Sequence, residues 1–166
     1  TLAGPLHGGA NQRVVEMLKD IKRPENAKTW LDKQLANNKV VWGMGHREYK
    51  TKDPRAIVLQ KLMVEWSEKQ GNLSPEFETA LRLEEACEEV LGPKGVFPNV
   101  DYYSGILYTE MGIAPDQFTP IFAVSRVAGW LAHWREQLSD NRIFRPTQIY
   151  TGEGIRVYTD MSKRQF

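Results

Sequence analysis

The 166 residues suffice for one ordinary domain, or for a small domain with part of another. Hydrophobic residues make up 41%, enough for a buried core, and 22 Lys+Arg against 21 Asp+Glu give a formal net charge of +1, without the basic excess of a general nucleic-acid binder. The single cysteine, Cys87, excludes an internal disulfide framework and a cysteine zinc pattern and suits a reducing compartment; no apolar run approaches the roughly 20 residues of a membrane span.

The chain opens without Met, at Thr1-Leu2-Ala3-Gly4-Pro5, and runs straight into the approach to a helix, so an upstream part is expected. Val14, Val15, Leu18 and Ile21 form a one-sided apolar stripe over Asn11 to Ile21, broken by Pro24. Glu25 to Asn37 reads as a second helix with Ala27, Trp30, Leu31 and Leu35 inward. Lys39 to Trp42 is a short β-like run leading into Gly43-Met44-Gly45. Asp53-Pro54 starts a helix with Asp as N-cap and Pro at the first helical position. That helix carries Ile57, Leu59, Leu62, Met63 and Trp66 and ends at Gly71. Ser74-Pro75 repeats the start signal for a helix with Phe77, Leu81, Cys87 and Leu91, closed by Gly92-Pro93. Tyr102 to Met111 reads as a shorter helix and Phe118 to Leu138 as a long one. The polar tail allows a small hairpin over Ile149 to Tyr158, around Gly152-Glu153-Gly154. The expected fold class is all-α, with at most that one hairpin.

Four places break the helical pattern. His7 sits between glycines just before a helix, whose partial positive charge disfavours imidazolium; it is either a neutral hydrogen-bond donor or a loop residue helping to cap the helix. Gly43 to Lys50, followed by Asp53-Pro54-Arg55, combines backbone-exposing glycines with Arg47, Lys50, Lys52 and Arg55. It suits a phosphate or carboxylate, or is a solvated basic loop. Glu48 at the third glycine position excludes a dinucleotide fingerprint. Arg55 opposes the dipole of the helix it starts, which hints at a functional placement. Asp101, the only acid between Glu89 and Glu110, is flanked by aromatic and apolar residues. Desolvation would make it a better base, unless it or Asn99 simply caps the following helix. Finally, Ile121 to Ala132 is apolar on every face and is expected to be buried, so its only charge, Arg126, should meet a protein carboxylate or an anionic ligand. His7, His46 and His133 lie far apart, which gives no metal-ligand spacing.

Together, GPLHGGAN (Gly4 to Asn11), GMGHREYKTKDPRA (Gly43 to Ala56), NVDYYSG (Asn99 to Gly105), SRVAGWLAHWREQ (Ser125 to Gln137) and Arg145-Pro146 resemble the citrate synthase family, in the family's order and over nearly the whole chain. The GHR-x-Y-K form is similar to bacterial and archaeal members; Glu48 replaces a usual apolar residue and Met44 a frequent aromatic, neither at a catalytic position. The resemblance implies an all-α fold in which 1–8 ends an upstream large-domain segment, 9–111 is the small domain and 112–166 is the C-terminal piece of the large domain. It implies an enzyme that condenses acetyl-CoA with oxaloacetate. Asp101 would take the methyl proton, His7 would hydrogen-bond the enolate oxygen, and His46 would polarise and protonate the ketone oxygen. An acid of reference pKa about 3.9 is a weak base for that carbon acid, so the enolate must be stabilised as it forms.

Arg55 and Arg126 would hold the carboxylates of oxaloacetate, and Arg145 would do so in the neighbouring subunit's site. The backbone of Val40, Val41, Trp42, Gly43, Met44 and Gly45 would line the CoA adenine, with Arg47 or Lys50 near its phosphates. Another oxaloacetate-binding histidine would lie upstream, so this chain is expected to be inactive alone. No cofactor or metal is expected besides the substrate acetyl-CoA, no nucleic-acid or membrane partner, a homo-oligomer (a dimer in the first instance), and a cytoplasmic location. Two rivals are a 2-methylcitrate synthase acting on propionyl-CoA and a non-catalytic CoA-binding helical module, which would tolerate loss of Asp101.

Overall fold

A computed structural model describes residues 9–155 and 157–164. Six α-helices account for its regular structure: α1 (Ala10–Ile21), α2 (Ala27–Ala36), α3 (Pro54–Gln70), α4 (Pro75–Leu91), α5 (Val100–Glu110) and α6 (Phe118–Ser139), with short 3-10 turns between several of them. The expected all-α class is what the described residues show. The contacts divide the chain into two compact units, one ending at Gly129 and the other beginning at Trp130.

In the first unit α5 is the centre. Tyr102, Tyr103 and Ile106 are buried in a core with Val14, Leu18 and Ile21 of α1, Leu31 of α2, Met63 of α3, and Phe77, Ala80 and Leu83 of α4. The Tyr102 hydroxyl, which has no water to bond, donates to the Ala80 carbonyl at 2.8 Å. α1 approaches α5 so closely that a Cβ on Gly105 would lie 2.4 Å from the Asn11 carbonyl oxygen. Only a missing side chain permits that crossing.

The start signals at Asp53 and Ser74 hold: Asp53 accepts from Arg55 N at 2.9 Å, and Ser74 Oγ from Phe77 N at 3.3 Å. Other expectations need correction. The second helix begins only at Ala27, because Pro24–Asn26 forms a 3-10 turn. Lys39 to Trp42 pairs with nothing as a strand, and the only bridge in the described residues joins Met44 to Pro98. Among the described residues of 149–158 no hairpin forms, and Ile149, Tyr150, Ile155 and Val157 are exposed; an isolated two-stranded ribbon lacks a surface to pack on. Of the apolar residues along α3, Met63 is buried and Leu59 packs partly against the core. Ala56, Met63 and Ser67 are buried, whereas Ile57, Leu62 and Trp66 are exposed, because α3 packs through a narrow stripe.

The largest correction concerns α6. Only its first residue, Phe118, is buried, against Tyr108 with ring centroids 5.4 Å apart. Val124 (75% exposed) and Val127 in the first unit, and Trp130, Leu131 and Trp134 in the second, face solvent. The helix has the composition of a buried element, yet beyond its first turns most of its residues are exposed.

Replacing Gly105 by Ala should force α1 and α5 apart. Overpacking of this kind costs about 1–3 kcal/mol or more, read as a lowered urea midpoint for Gly105→Ala with helicity retained in the far ultraviolet.

Candidate active site

The site begins with two left-handed glycines. Gly43 (φ 79°) and Gly45 (φ 88°) bend the chain after α2 in a way L side chains avoid. At Gly43 there is no room either: a Cβ would lie 2.9 Å from Val14 Cγ2 and from the backbone of Tyr102. The bend is stitched to the segment before α5. Gly45 N donates to Phe97 O and Asn99 N to Gly43 O, both at 2.8 Å, and Asp53 N donates to Pro98 O at 3.2 Å. The Asn99 side chain completes the seam, with Nδ2 donating to Gly45 O at 2.8 Å and Oδ1 accepting from Asp101 N at 2.9 Å. Asn99 is therefore the N-cap of α5, and Asp101 lies in its first turn.

His46 follows directly. Its Nδ1 accepts from the backbone N–H groups of Glu48 (3.1 Å) and Tyr49 (3.3 Å), and its ring stacks on Tyr49 with centroids 4.5 Å apart. An Nδ1 that accepts carries no hydrogen, so in the neutral ring the proton sits on Nε2. That Nε2 lies 3.5 Å from an Arg55 terminal nitrogen. With that tautomer both are donors, so they stand side by side without bonding each other.

Arg55 is aimed by Asp53. The buried carboxylate accepts from Arg55 Nε at 3.0 Å and from its Nη2 at 2.7 Å, as well as from its backbone N–H. This explains how a cation survives in the first turn of α3: its charge is compensated at once by the N-cap. The bonds to Arg55 hold the Asp53 carboxyl below its ordinary 3.8 against the opposing effect of burial, and Asp53 in turn raises the Arg55 guanidinium. Asp101 is half-buried and within electrostatic reach of Arg55, adding to that rise. Burial, and then the charge of Asp101, push the Tyr108 hydroxyl up.

The segment expected to meet CoA is mixed. Val40 is 65% exposed, Val41 is buried, and Trp42 and Met44 pack partly on the core. Val40 and Trp42 line an open cleft of about 540 Å³ with Trp30, Met17, Arg13 and Lys39. Arg47 and Lys50 are exposed nearby in sequence, on the loop after His46. The structure thus brings His46, Arg55 and Asp101 into one neighbourhood. It does not bring Arg126 there by any contact: its side chain is exposed, with the guanidinium over the ring of Phe122 at 5.3 Å, so the expected burial is not met among the described residues, and of the two expected partners no protein carboxylate forms a salt bridge with it there. Arg145 is exposed in the second unit, and His7 lies outside the described residues. His133 is exposed, 3.7 Å from Glu136.

Two residues with a part in this geometry were not singled out as site residues by the sequence. Asp53 reads there only as a helix cap, and Asn99 only as one of two possible caps. The Asp-x-Arg spacing across a helix start was the available signal for the first.

The family model for the citrate synthase C-terminal domain matches residues 1–147. The chain is 57% identical over 166 residues to a citrate synthase of Acidithiobacillus ferridurans, covering 99% of this chain and 43% of that protein. It is 53% identical to one of Synechocystis, of which it covers 41%. Among solved structures, a ternary complex of citrate synthase from Thermoplasma acidophilum with carboxymethyl coenzyme A and oxaloacetate matches with TM-score 0.86 at 37% identity, over 98% of this chain and 44% of that one. The enzyme from Thermotoga maritima matches with TM-score 0.85 at 39% identity, over 99% and 44%. An all-helical core around this loop, with matches of this extent, places the chain in the citrate synthase family. It spans under half the length of these relatives.

Because the folded Asp53 value is depressed, its stabilisation is complete above pH 3.8 and fades as pH falls through the lower folded value. Urea unfolding at a series of pH values should show Asp53→Asn less stable than the parent chain at neutral pH. The gap should narrow below pH 3.8.

Proposed function

We propose that this chain is the C-terminal part of a citrate synthase subunit that condenses acetyl-CoA with oxaloacetate to give citrate and CoA. The observation that carries the reading is the closeness of His46 Nε2–H and the Arg55 guanidinium, 3.5 Å apart, with Asp101 within electrostatic reach of Arg55. A 2-oxo acid presents a ketone oxygen and a carboxylate side by side, and these two donors match that pair. The Thermoplasma relative forms a ternary complex with oxaloacetate and carboxymethyl coenzyme A, which supports the same assignment.

Asp101 removes a proton from the methyl carbon of acetyl-CoA, and His7 donates a hydrogen bond to the enolate oxygen as charge develops there. The enolate carbon attacks the ketone carbon of oxaloacetate, and the ketone oxygen takes the Nε2 proton of His46 as the C–C bond forms. Water then cleaves the citryl thioester, releasing CoA as a free thiol. Arg55 and Arg126 hold the carboxylates, with Arg145 reaching into the neighbouring subunit's site. The open cleft beside Val40 and Trp42 offers an apolar wall for the adenine of CoA, with Arg47 or Lys50 near its phosphates.

In this reading residues 9–111 form the small domain and 112–166 the last piece of the large one. The apolar surface of α6 is then the face that the rest of the large domain and a second subunit cover, in a cytoplasmic homodimer. Among the described residues, no helix is long and apolar enough to cross a membrane.

The test is thiol release from acetyl-CoA with and without oxaloacetate. The chain alone should release none, and the complete subunit should release thiol only when oxaloacetate is present. In that subunit Asp101→Ala should lower kcat by about 10²–10⁴-fold while oxaloacetate still binds. Unchanged turnover in Asp101→Ala would sink the assignment of the base, and a complete subunit indifferent to oxaloacetate would sink the reading.

A further inference from the structure

Glu84 sits midway along α4, a helix that brings no residue to the site. Its side chain is only 10% exposed, and a carboxylate there needs partners to remain. Three side chains from three other segments supply them. Lys52 forms a salt bridge with one carboxylate oxygen; Gln60 Nε2 donates to the other at 3.1 Å, and the Tyr103 hydroxyl donates to it as well. The partners also join each other. Lys52 Nζ donates to Gln60 Oε1 at 2.6 Å, Gln60 Nε2 to the Tyr103 oxygen at 3.0 Å, and Lys52 lies 5.3 Å above the Tyr103 ring.

The placement of these partners gives the network its meaning. Lys52 is three residues before Arg55 on the loop that starts at His46, Gln60 is five residues after Arg55 in α3, and Tyr103 is two residues after Asp101 in α5. We propose that Glu84 is a positioning residue of the condensation site, fixing the helix that carries Asp101 against the loop that carries His46 and Arg55. The inference rests on the functional reading above. A buried ion pair adds little net stability compared with apolar residues of the same volume. What it adds is direction, since each bond is satisfied in one relative placement of the segments. Packing does not need the Tyr103 hydroxyl: the ring is already held edge-on by Tyr102 at 5.1 Å and Phe77 at 6.2 Å. Burial, and then the neighbouring charge of Glu84, push that hydroxyl far up, so it stays protonated as a donor.

Two variants on opposite sides of Glu84, made in the complete subunit, test this. Tyr103→Phe keeps the ring contacts and frees only the Asp101 side. Its kcat should fall about threefold to tenfold, since small misplacements of reacting groups are costly. Its KM for oxaloacetate should stay unchanged, and its isotope effect with methyl-deuterated acetyl-CoA should rise as proton removal becomes slower. Lys52→Met keeps the aliphatic stem and frees the other side. Its KM for oxaloacetate should rise by about the same factor with the isotope effect unaltered. A merely structural role would lower kcat only in proportion to the folded fraction seen in thermal unfolding, and would move neither KM nor the isotope effect. That result overturns the proposal, as does full parental kinetics in both variants. If Tyr103→Phe fails to fold, Lys52→Met decides alone, and an unchanged KM for oxaloacetate overturns the proposal. A parent subunit without oxaloacetate-dependent thiol release sinks the functional reading and this inference with it, whereas a turning-over parent with indifferent variants sinks this inference alone.

Discussion

The carboxamide of Asn99 is the interaction on which the site depends. One end caps α5 through Asp101 N and the other holds the carbonyl of Gly45. A single side chain therefore sets both where the Asp101 helix starts and where the His46 loop leaves the bend. Backbone bonds from Gly45 to Phe97 and from Asn99 to Gly43 make the seam two-sided. Because these groups are partly withdrawn from water, leaving any of them unpaired would cost about 1–3 kcal/mol. The seam is thus held in one register.

That seam works only because α5 is itself immobilised. The contact of Gly105 with the Asn11 carbonyl locks α1 to α5, and Tyr102 and Tyr103 fill the space between α5 and α4. Gly43 closes the same junction from the loop side, pressed against Tyr102 and Val14. Gly43, which exposes backbone at the site, thus also allows the core to close beneath it. In the proposed reaction such preorganisation matters, since a weak carboxylate base working on a carbon acid needs its supporting groups in place before charge develops.

The electrostatics are arranged in graded steps. Arg55 gives its Nε edge to Asp53 and keeps other N–H groups toward His46. His46 gives Nδ1 to the backbone and keeps its Nε2 proton. In both cases a local partner takes one side of the group and leaves the other for a ligand. Arg126 and the apolar residues of α6 beyond its first turns show the opposite condition, a composition suited to burial in side chains that are exposed. Exposed apolar surface of this extent is uncommon on monomeric proteins.

Residue order alone determined much about this protein. Asp-Pro and Ser-Pro mark the starts of α3 and α4, the stripe of Val14, Val15, Leu18 and Ile21 marks the buried face of α1, and the ordered motifs around His46, Asp101 and Arg145 point to the family. These are local signals, written in capping chemistry and helical period. Only the tertiary structure decided that Asn99 rather than Asp101 caps α5, because that choice depends on the carbonyl of Gly45, more than fifty residues away in sequence. It also decided which face of α3 turns inward, because an apolar pattern with several candidate stripes is settled by the helix it meets. Glu84 is the clearest case. In the sequence it is one acid among several along α4, and its role emerges only where Lys52, Gln60 and Tyr103 arrive from three other segments to surround it.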